Sequence, residues 1–458
     1  MFGGLILFML IGYPVAFSLA AVGLCFGFLA IEQGFFPAIL MTAMPERIFG
    51  IMSNELLLAI PFFTFMGMVL ERCGIAEDLL EGAGQLFGPV RGGLSYAVIL
   101  VGAILGAVTG TVAASVIAMG VIALPVMMRH GYSMRHATGV VAASGTITQL
   151  IPPSLVLIVL ADQLGRSVGD MYAGAIGPSL VQVALFCAFV ALVSVFRPQD
   201  MPALPPEART LRGWPLIVKC LWGMVPSLLL IFLVLGTILM GLATPTEGGA
   251  MGAVGALLLA LLNRRLTLVL LWQSMDATMR ITAMVIFILI GSNLFTLVFR
   301  GVDGDLWIEN MLTALPGGVV GFLIVVNLFV FVLAFFLDFF EIAFIIIPLL
   351  APIAHKLGID LVWFGVLLGV NMQTSFMHPP FGFALFYLRG IAPPQVRSAD
   401  IYWGAIPWVG LQLIMVAIVI LWPELVTGFL DAAPTVDPAT IQIDIPTFDQ
   451  PTEPIQIQ

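Results

Sequence analysis

The chain has 458 residues, of which 60% are hydrophobic and only 9% charged, with a formal net charge of −9. A soluble domain carries roughly 45–50% apolar and ~25% charged residues and could not hide this much apolar surface, so a soluble enzyme or binding module is excluded. With 17 Lys and Arg against 26 Asp and Glu, no basic patch suggests nucleic acid.

The first apolar run, Phe2 to Ile31, lacks a basic leader and is too long for a signal-peptide core, so it reads as a retained span with Gly12, Tyr13 and Pro14 inside it. Complete spans are predicted at 3–31, 54–72, 133–162, 171–196 and 220–243. The mixed-polarity stretches Ala76 to Phe87 and Asp305 to Leu315 predict helices along the membrane surface that brace a scaffold. Gly93 to Met128 and Val319 to Ala354 each divide into two apolar arms of about 16 residues, or ~24 Å of helix. A hydrocarbon core is about 30 Å thick, so the arms predict re-entrant hairpins. Their tips fall at Gly106, Thr109, Gly110 and Thr111 in one case and at Leu337, Asp338 and Glu341 in the other. The four cysteines, Cys25, Cys73, Cys187 and Cys220, have no metal-ligand spacing and read as packing residues.

The chain repeats itself. Gly74 and Gly301, Asp78 and Asp305, Pro89 and Pro316, Pro125 and Pro352, Gly131 and Gly358, Pro152 and Pro379, and Pro153 and Pro380 are all 227 positions apart. Farther on, Asp170, Tyr172, Gly174, Ala175 and Ile176 recur 230 positions later as Asp400, Tyr402, Gly404, Ala405 and Ile406. Five crossings separate matching points, and an odd number inverts the second copy. The fold predicted is therefore an all-α polytopic membrane protein of two inverted-topology repeats with re-entrant hairpins and broken helices. With the 197–219 linker in the cytoplasm, thirteen of the 17 Lys and Arg fall on that side, as the positive-inside rule expects. The acidic tail, residues 425–458, then lies outside.

Such repeats break helices near the midplane, where freed carbonyls hold cations and half-helix N-termini face anions. The breaks are predicted at Ser144 to Pro153 and Asn371 to Pro380, because two successive prolines remove donors and clash with the preceding turn. Hydroxyls and carbonyls there are hard oxygen ligands suited to a small alkali cation; a simple kink is the alternative. Asp338, ionisable at membrane depth, reads as an ion-site residue, with structural pairing as the alternative. Glu341 is read as a cap or local pair, and His378 as a structural polar group. Asp170 and Asp400 open the following spans, where a carboxylate caps a helix. Neither a His-Glu-x-x-His nor a Gly-x-Ser-x-Gly pattern occurs, so an intramembrane hydrolase is not expected.

At Gly12-Tyr13-Pro14-Val15-Ala16, Ile151-Pro152-Pro153-Ser154, Ala243-Thr244-Pro245-Thr246-Glu247-Gly248 and both breaks, the sequence resembles the large membrane subunit of tripartite ATP-independent periplasmic (TRAP) transporters, DctM type. Phe336 to Phe344 and Pro379 to Gly390 look like the branch often labelled mannitol/chloroaromatic. The resemblance implies sodium-driven import of a small organic anion, such as a 2-oxo acid or another carboxylate, across the bacterial inner membrane by an elevator mechanism. It implies no organic cofactor, sodium as coupling ion, and two partners: a small membrane subunit of DctQ type and a periplasmic solute-binding protein of DctP type. A stand-alone proton- or sodium-coupled anion carrier is the alternative.

Carried onto matching positions, the resemblance puts sodium at Gly106, Thr109, Thr111, Ser144, Thr146 and Thr148 in one site. The other would use Asp338, Asn371, Thr374 and Ser375. Substrate would meet Thr109, Gly110, Thr148, Pro152, Pro153, Thr374, Pro379 and Pro380. The implied organisation is scaffold at 1–90, transport part at 91–196 (hairpin 91–130, broken helix 133–162), cytoplasmic linker at 197–219, linking span and scaffold at 220–316, transport part at 317–424 (hairpin 317–357, broken helix 360–390) and periplasmic tail at 425–458. Two departures stand out: the second tip is bulky and acidic, and His378 replaces a small polar residue.

Overall fold

The structure is a computed structural model that describes residues 1–430, without 210, 212 and the side chains of Ile75, Ala76, Val108 and Thr109. The predicted acidic tail beyond Leu430 lies outside the described residues. Eight of the described helices are long and apolar enough to cross a membrane, or nine if one bent pair is a single span.

The N-terminal run is two helices, α1 (Phe2–Ile11) and α2 (Val15–Glu32), in place of the single span expected at 3–31. Gly12 takes a left-handed φ of 98°, and Pro14 cannot continue the first helix, so α1 folds back with Gly4 against Val22 and Phe26. The predicted span at 54–72 also changes. After α3 (Met44–Met52), Asn54 caps a 3₁₀ turn that leads into α4 (Ala59–Arg72), and the chain bends by 49° between the two segments. The amphipathic α5 (Ile75–Phe87) is separate, as expected.

The first hairpin is α6 (Gly93–Thr109) and α7 (Val112–Arg129), which pack together across a turn at Gly110, φ 62°. At 17 and 18 residues the arms are longer than expected, and α7 meets the length of a span. Arm length alone therefore does not define the hairpin; the glycine turn and the packing do. The first broken helix is α8 (Met134–Thr146), a 3₁₀ turn at Ile147–Gln149 and α9 (Leu155–Leu164), closed by left-handed Gly165. Next come α10 (Val168–Phe196) and, beyond the linker, α11 (Trp214–Leu239).

The second copy starts with α12 (Pro245–Leu262), set by a capping box between Thr244 and Glu247 and by proline in its first turn. Next, α13 (Leu268–Gly301) runs unbroken for 34 residues where the first copy bends between α3 and α4. Then come α14 (Gly304–Thr313), α15 (Gly318–Leu333), α16 (Phe339–Glu341), a π turn at Ile342–Ile346 and α17 (Ile347–Lys356). The second broken helix is α18 (Leu361–Met372), a 3₁₀ turn at Gln373–Phe376 and α19 (Phe383–Ile391), followed by α20 (Ser398–Leu421) and α21 (Glu424–Thr427).

The copies pack reciprocally. The first span of each lies on the second span of the other: Gly23 and Gly27 of α2 meet Leu294 and Val298 of α13, while Gly249 and Gly252 of α12 meet Phe63 and Met66 of α4. In both pairs the numbers rise together, so the helices are parallel. Successive spans within one copy run oppositely, so the copies are inverted. The same exchange recurs inside, with α8 on α20 and α18 on α10, α7 on α19 and α17 on α9.

The broken helices are the most enclosed elements. Every residue of α18 and every one from Ala137 to Thr146 in α8 is buried, a mark of a helix with protein on all sides. Glycine makes the closest approach possible: a Cβ on Gly139 would lie 2.6 Å from Trp408 Nε1 and overlap the Gly404 carbonyl. Gly139→Leu is expected to separate α8 from α20 and destabilise the protein by about 3 kcal/mol. A lower unfolding temperature of the detergent-purified variant would register this, and an unchanged one would reject the packing.

Candidate functional site

The first break packs under the α6–α7 hairpin, and in the second copy α15 packs on α18. In the first copy the approach is very close, since a Cβ on Gly106 would stand 2.9 Å from Thr148 Cα, and one on Gly102 would stand 2.7 Å from Ser144 Cβ. Thr146 Oγ1 donates to Ala143 O at 2.8 Å and accepts from Gln412 Nε2 at 2.9 Å, tying the break to α20. Thr148 Oγ1 donates to Gly145 O at 2.7 Å. Of the two carbonyls that Pro152 and Pro153 leave without a helical donor, Thr148 O and Gln149 O, the second accepts from Ser154 Oγ at 2.6 Å, while Ser179 Oγ donates to Ala175 O at 2.6 Å and lies 3.0 Å from Leu150 O. Gln149 O is therefore already engaged within the break. With the hydroxyl hydrogens spent on carbonyls, the oxygens keep lone pairs for a ligand. Thr111 Oγ1 and Ser144 Oγ are buried without a hydrogen-bond partner. The structure thus sets Gly106 against Thr148 and Gly102 against Ser144, while Gly110 faces Leu155 and Thr146 bonds Gln412 of α20; the side chain of Thr109 lies outside the described ones.

In the second copy the break is built from larger groups. Asn371 Nδ2 donates to Asn327 O at 2.8 Å and to Asn327 Oδ1 at 3.1 Å, and Asn327 Nδ2 donates to Leu323 O at 2.9 Å. This amide bridge stands where Gly102 meets Ser144 in the first copy. Thr374 Oγ1 donates to Asn371 O at 2.7 Å and Ser375 Oγ to Met372 O at 2.6 Å, repeating the threonine pattern of the first break. Asn371 Oδ1 and both amide atoms of Gln373 are buried without a hydrogen-bond partner. The double prolines of both copies, Pro152-Pro153 and Pro379-Pro380, have cis peptide bonds. His378 is 2% exposed and held between Phe331 and Phe335, with ring centroids 4.2 Å from each, and both ring nitrogens are buried without a hydrogen-bond partner.

Asp338 is placed as the N-cap of α16. Its Oδ1 accepts from Glu341 N at 3.2 Å, and Glu341 Oε2 accepts from Asp338 N at 2.8 Å, a reciprocal capping box. The capping role expected of Glu341 therefore belongs to the pair, and Asp338 has a structural duty whatever else it does. The other two aspartates differ from expectation. Ser167, not Asp170, caps α10, and Asp400 is 8% exposed and pairs with Arg397 at 3.2 Å and Arg135 at 3.7 Å, joining α20 to α8.

Asn327, Gln373 and Gln412 escaped the sequence reading, as did Gln182 of α10, whose amide is buried without a hydrogen-bond partner. A signal was available for two of them: Gln182 and Gln412 are polar residues in apolar runs, 230 positions apart like Asp170 and Asp400. Asn327→Leu leaves the Asn371 amide without its partner and is expected to cost about 2 kcal/mol. Thermal unfolding of the purified variant measures this loss, and an unshifted midpoint would refute the bridge.

The family described as "Tripartite ATP-independent periplasmic transporter, DctM component" matches residues 2–425. Over 375 residues the chain is 32% identical to the C4-dicarboxylate TRAP transporter large permease protein DctM of Pseudomonas aeruginosa, covering 81% of this chain and 86% of that protein. It is 30% identical over 437 residues to the protein of the same name from Vibrio cholerae, covering 90% and 92%. The 2,3-diketo-L-gulonate TRAP transporter large permease protein YiaN of Escherichia coli is 25% identical over 373 residues, covering 81% and 85%. Among solved structures, the Alcanivorax borkumensis YdaH transporter has a TM-score of 0.58 at 14% identity, covering 89% of this chain and 96% of that one, which is a likeness of fold. These relatives are transporter permeases, in line with the expectation of a transporter rather than an enzyme. Match and architecture together place this multi-pass membrane protein in the DctM family of large permease subunits of tripartite ATP-independent periplasmic transporters.

Proposed function

We propose that this chain imports a small organic anion, a carboxylate such as a 2-oxo acid, across the bacterial inner membrane, driven by a sodium gradient. The observation that carries the reading is the paired set of buried, broken helices, with Thr111 Oγ1, Ser144 Oγ and Asn371 Oδ1 buried and unpartnered. Neutral oxygens on unwound segments suit sodium, and the N-termini of α9 and α19, just beyond the breaks, suit a carboxylate. In this reading the first site comprises Gly106, Thr109, Thr111, Ser144, Thr146 and Thr148, and the second Asp338, Asn371, Thr374 and Ser375. Substrate meets Thr109, Gly110, Thr148, Thr374 and the four prolines.

Movement follows an elevator. The layer of α2, α4, α12 and α13, extended by α5 and α14, is the scaffold, while hairpins, broken helices, α10 and α20 travel. A DctQ-type small membrane subunit steadies the scaffold, and a DctP-type binding protein delivers substrate to the periplasmic face, where the acidic tail lies. The names of the relatives support a carboxylate cargo, since two are C4-dicarboxylate permeases.

Reconstitution with both partners is expected to give uphill uptake under an inward sodium gradient and none under a potassium gradient. Accumulation by the chain alone would instead establish the stand-alone carrier. Asparagine is also a good N-cap, so Asp338→Asn is expected to preserve expression while raising the sodium concentration for half-maximal uptake. Unchanged sodium activation would remove Asp338 from the ion site.

A further inference from the structure

A cleft unrelated to the breaks opens at the basic-rich end of α11 and α12. Its upper part, a cavity of about 220 Å³, is lined by Asp78, Trp222, Gly223, Pro226, Asn263 and Arg265. Pro226 also belongs to a groove of about 600 Å³ that continues between α11 and α12, where it is lined by Leu229, Leu233, Met251, Val254 and Leu258 among other apolar residues. The cleft is thus charged at one end and hydrocarbon-like along the other, over about 14 Å of α12 from Ala250 to Leu259.

The charged end is fixed in place. Arg265 donates from Nη1 to Cys73 O at 2.5 Å and from Nη2 to Asp78 Oδ2 at 3.1 Å, so its guanidinium is held at the cavity wall. Arg264 beside it is exposed, has a left-handed φ of 55° and makes no ion pair among the described residues. Trp222 is 75% exposed at the rim, where an amphipathic ring favours the headgroup level of a bilayer. Pro226 has no N–H for the Trp222 carbonyl one turn earlier, so that acceptor is free of its helical bond.

We infer that this cleft binds a phospholipid of the cytoplasmic leaflet, its phosphodiester at Arg265 of the cavity wall and one acyl chain in the groove between α11 and α12. The exposed Arg264, next to Arg265, follows Asn263 of the same wall. Cations recognise the phosphate, as basic pockets between membrane helices do. Asp78 and the Trp222 carbonyl accept from an ethanolamine ammonium or from glycerol hydroxyls. The inference does not depend on which anion is transported or on sodium.

The test titrates the delipidated chain in detergent with phosphatidylethanolamine, phosphatidylglycerol, diacylglycerol and glycerophosphate, reading thermal stabilisation. Stabilisation is expected from either phospholipid, while diacylglycerol, which lacks the phosphate, and glycerophosphate, which lacks the chains, should give none. A preference for phosphatidylethanolamine would place its ammonium at Asp78; equal effects would leave the phosphodiester as the recognised group. Arg264→Gln is expected to weaken the phospholipid effect about fivefold. Val254→Trp, which fills the groove and leaves Arg265 and its Cys73 contact alone, should abolish it without changing elution as a monodisperse species. Equal stabilisation by diacylglycerol, or wild-type behaviour of both variants, would overturn the inference. So would a photo-crosslinker at Val254 that captured a protein helix instead of lipid in intact membranes.

Discussion

Backbone N–H and C=O groups have no water to turn to within a bilayer, so a helix can be broken there only where protein closes around the break. This constraint organises the molecule. The double prolines strip donors from two central helices, and in the first copy Gln149 O, one of the carbonyls they release, is answered by Ser154. Such answers require each break to be wrapped by other segments, and the burial of α8 and α18 on every side is the result. Each copy uses the last span of the other, α20 against α8 and α10 against α18.

Inversion and function are linked by the same physics. The inverted duplication gives each copy one break at a double proline, so the two breaks share a plan although their residues have diverged. In the first copy, Gly102 and Gly106 let α6 touch the broken helix directly. In the second, Asn327 and Asn371 span the corresponding gap with amides, and His378 fills between Phe331 and Phe335. The first copy thus has a small, neutral tip and the second a bulky tip capped by the Asp338–Glu341 pair.

Much of this was legible in the chain. The 227-residue offset, the Pro-Pro breaks and the separate helices α5 and α14 appear in the structure where the residues implied them, because proline chemistry and short polar interruptions act locally. The first span failed for an instructive reason. Gly12 and Pro14 were visible, but whether they kink a span or reverse it depends on whether α1 can pack on α2, through contacts such as Gly4 with Val22 and Phe26. Hairpin arm length misled likewise, since α7 is long enough to cross and only its packing beneath a glycine turn makes it an arm. Asp338 illustrates a third limit: its charge and depth were evident, while its reciprocal bonds with Glu341 depend on a helix starting at Phe339.

The sequence by itself determined that the protein lives in a membrane, that it is duplicated, and where its helices must break, because hydropathy, repetition and proline geometry need no partner to act. Only the tertiary structure decided which oxygens remain unpartnered beside the breaks and that Asn327 bridges to Asn371. Only the structure shows, too, that the head-and-groove cleft forms between α5, α11 and α12. Those properties belong to pairs of groups far apart in the chain, and no local pattern specifies which residue will face which until the two copies have closed around each other.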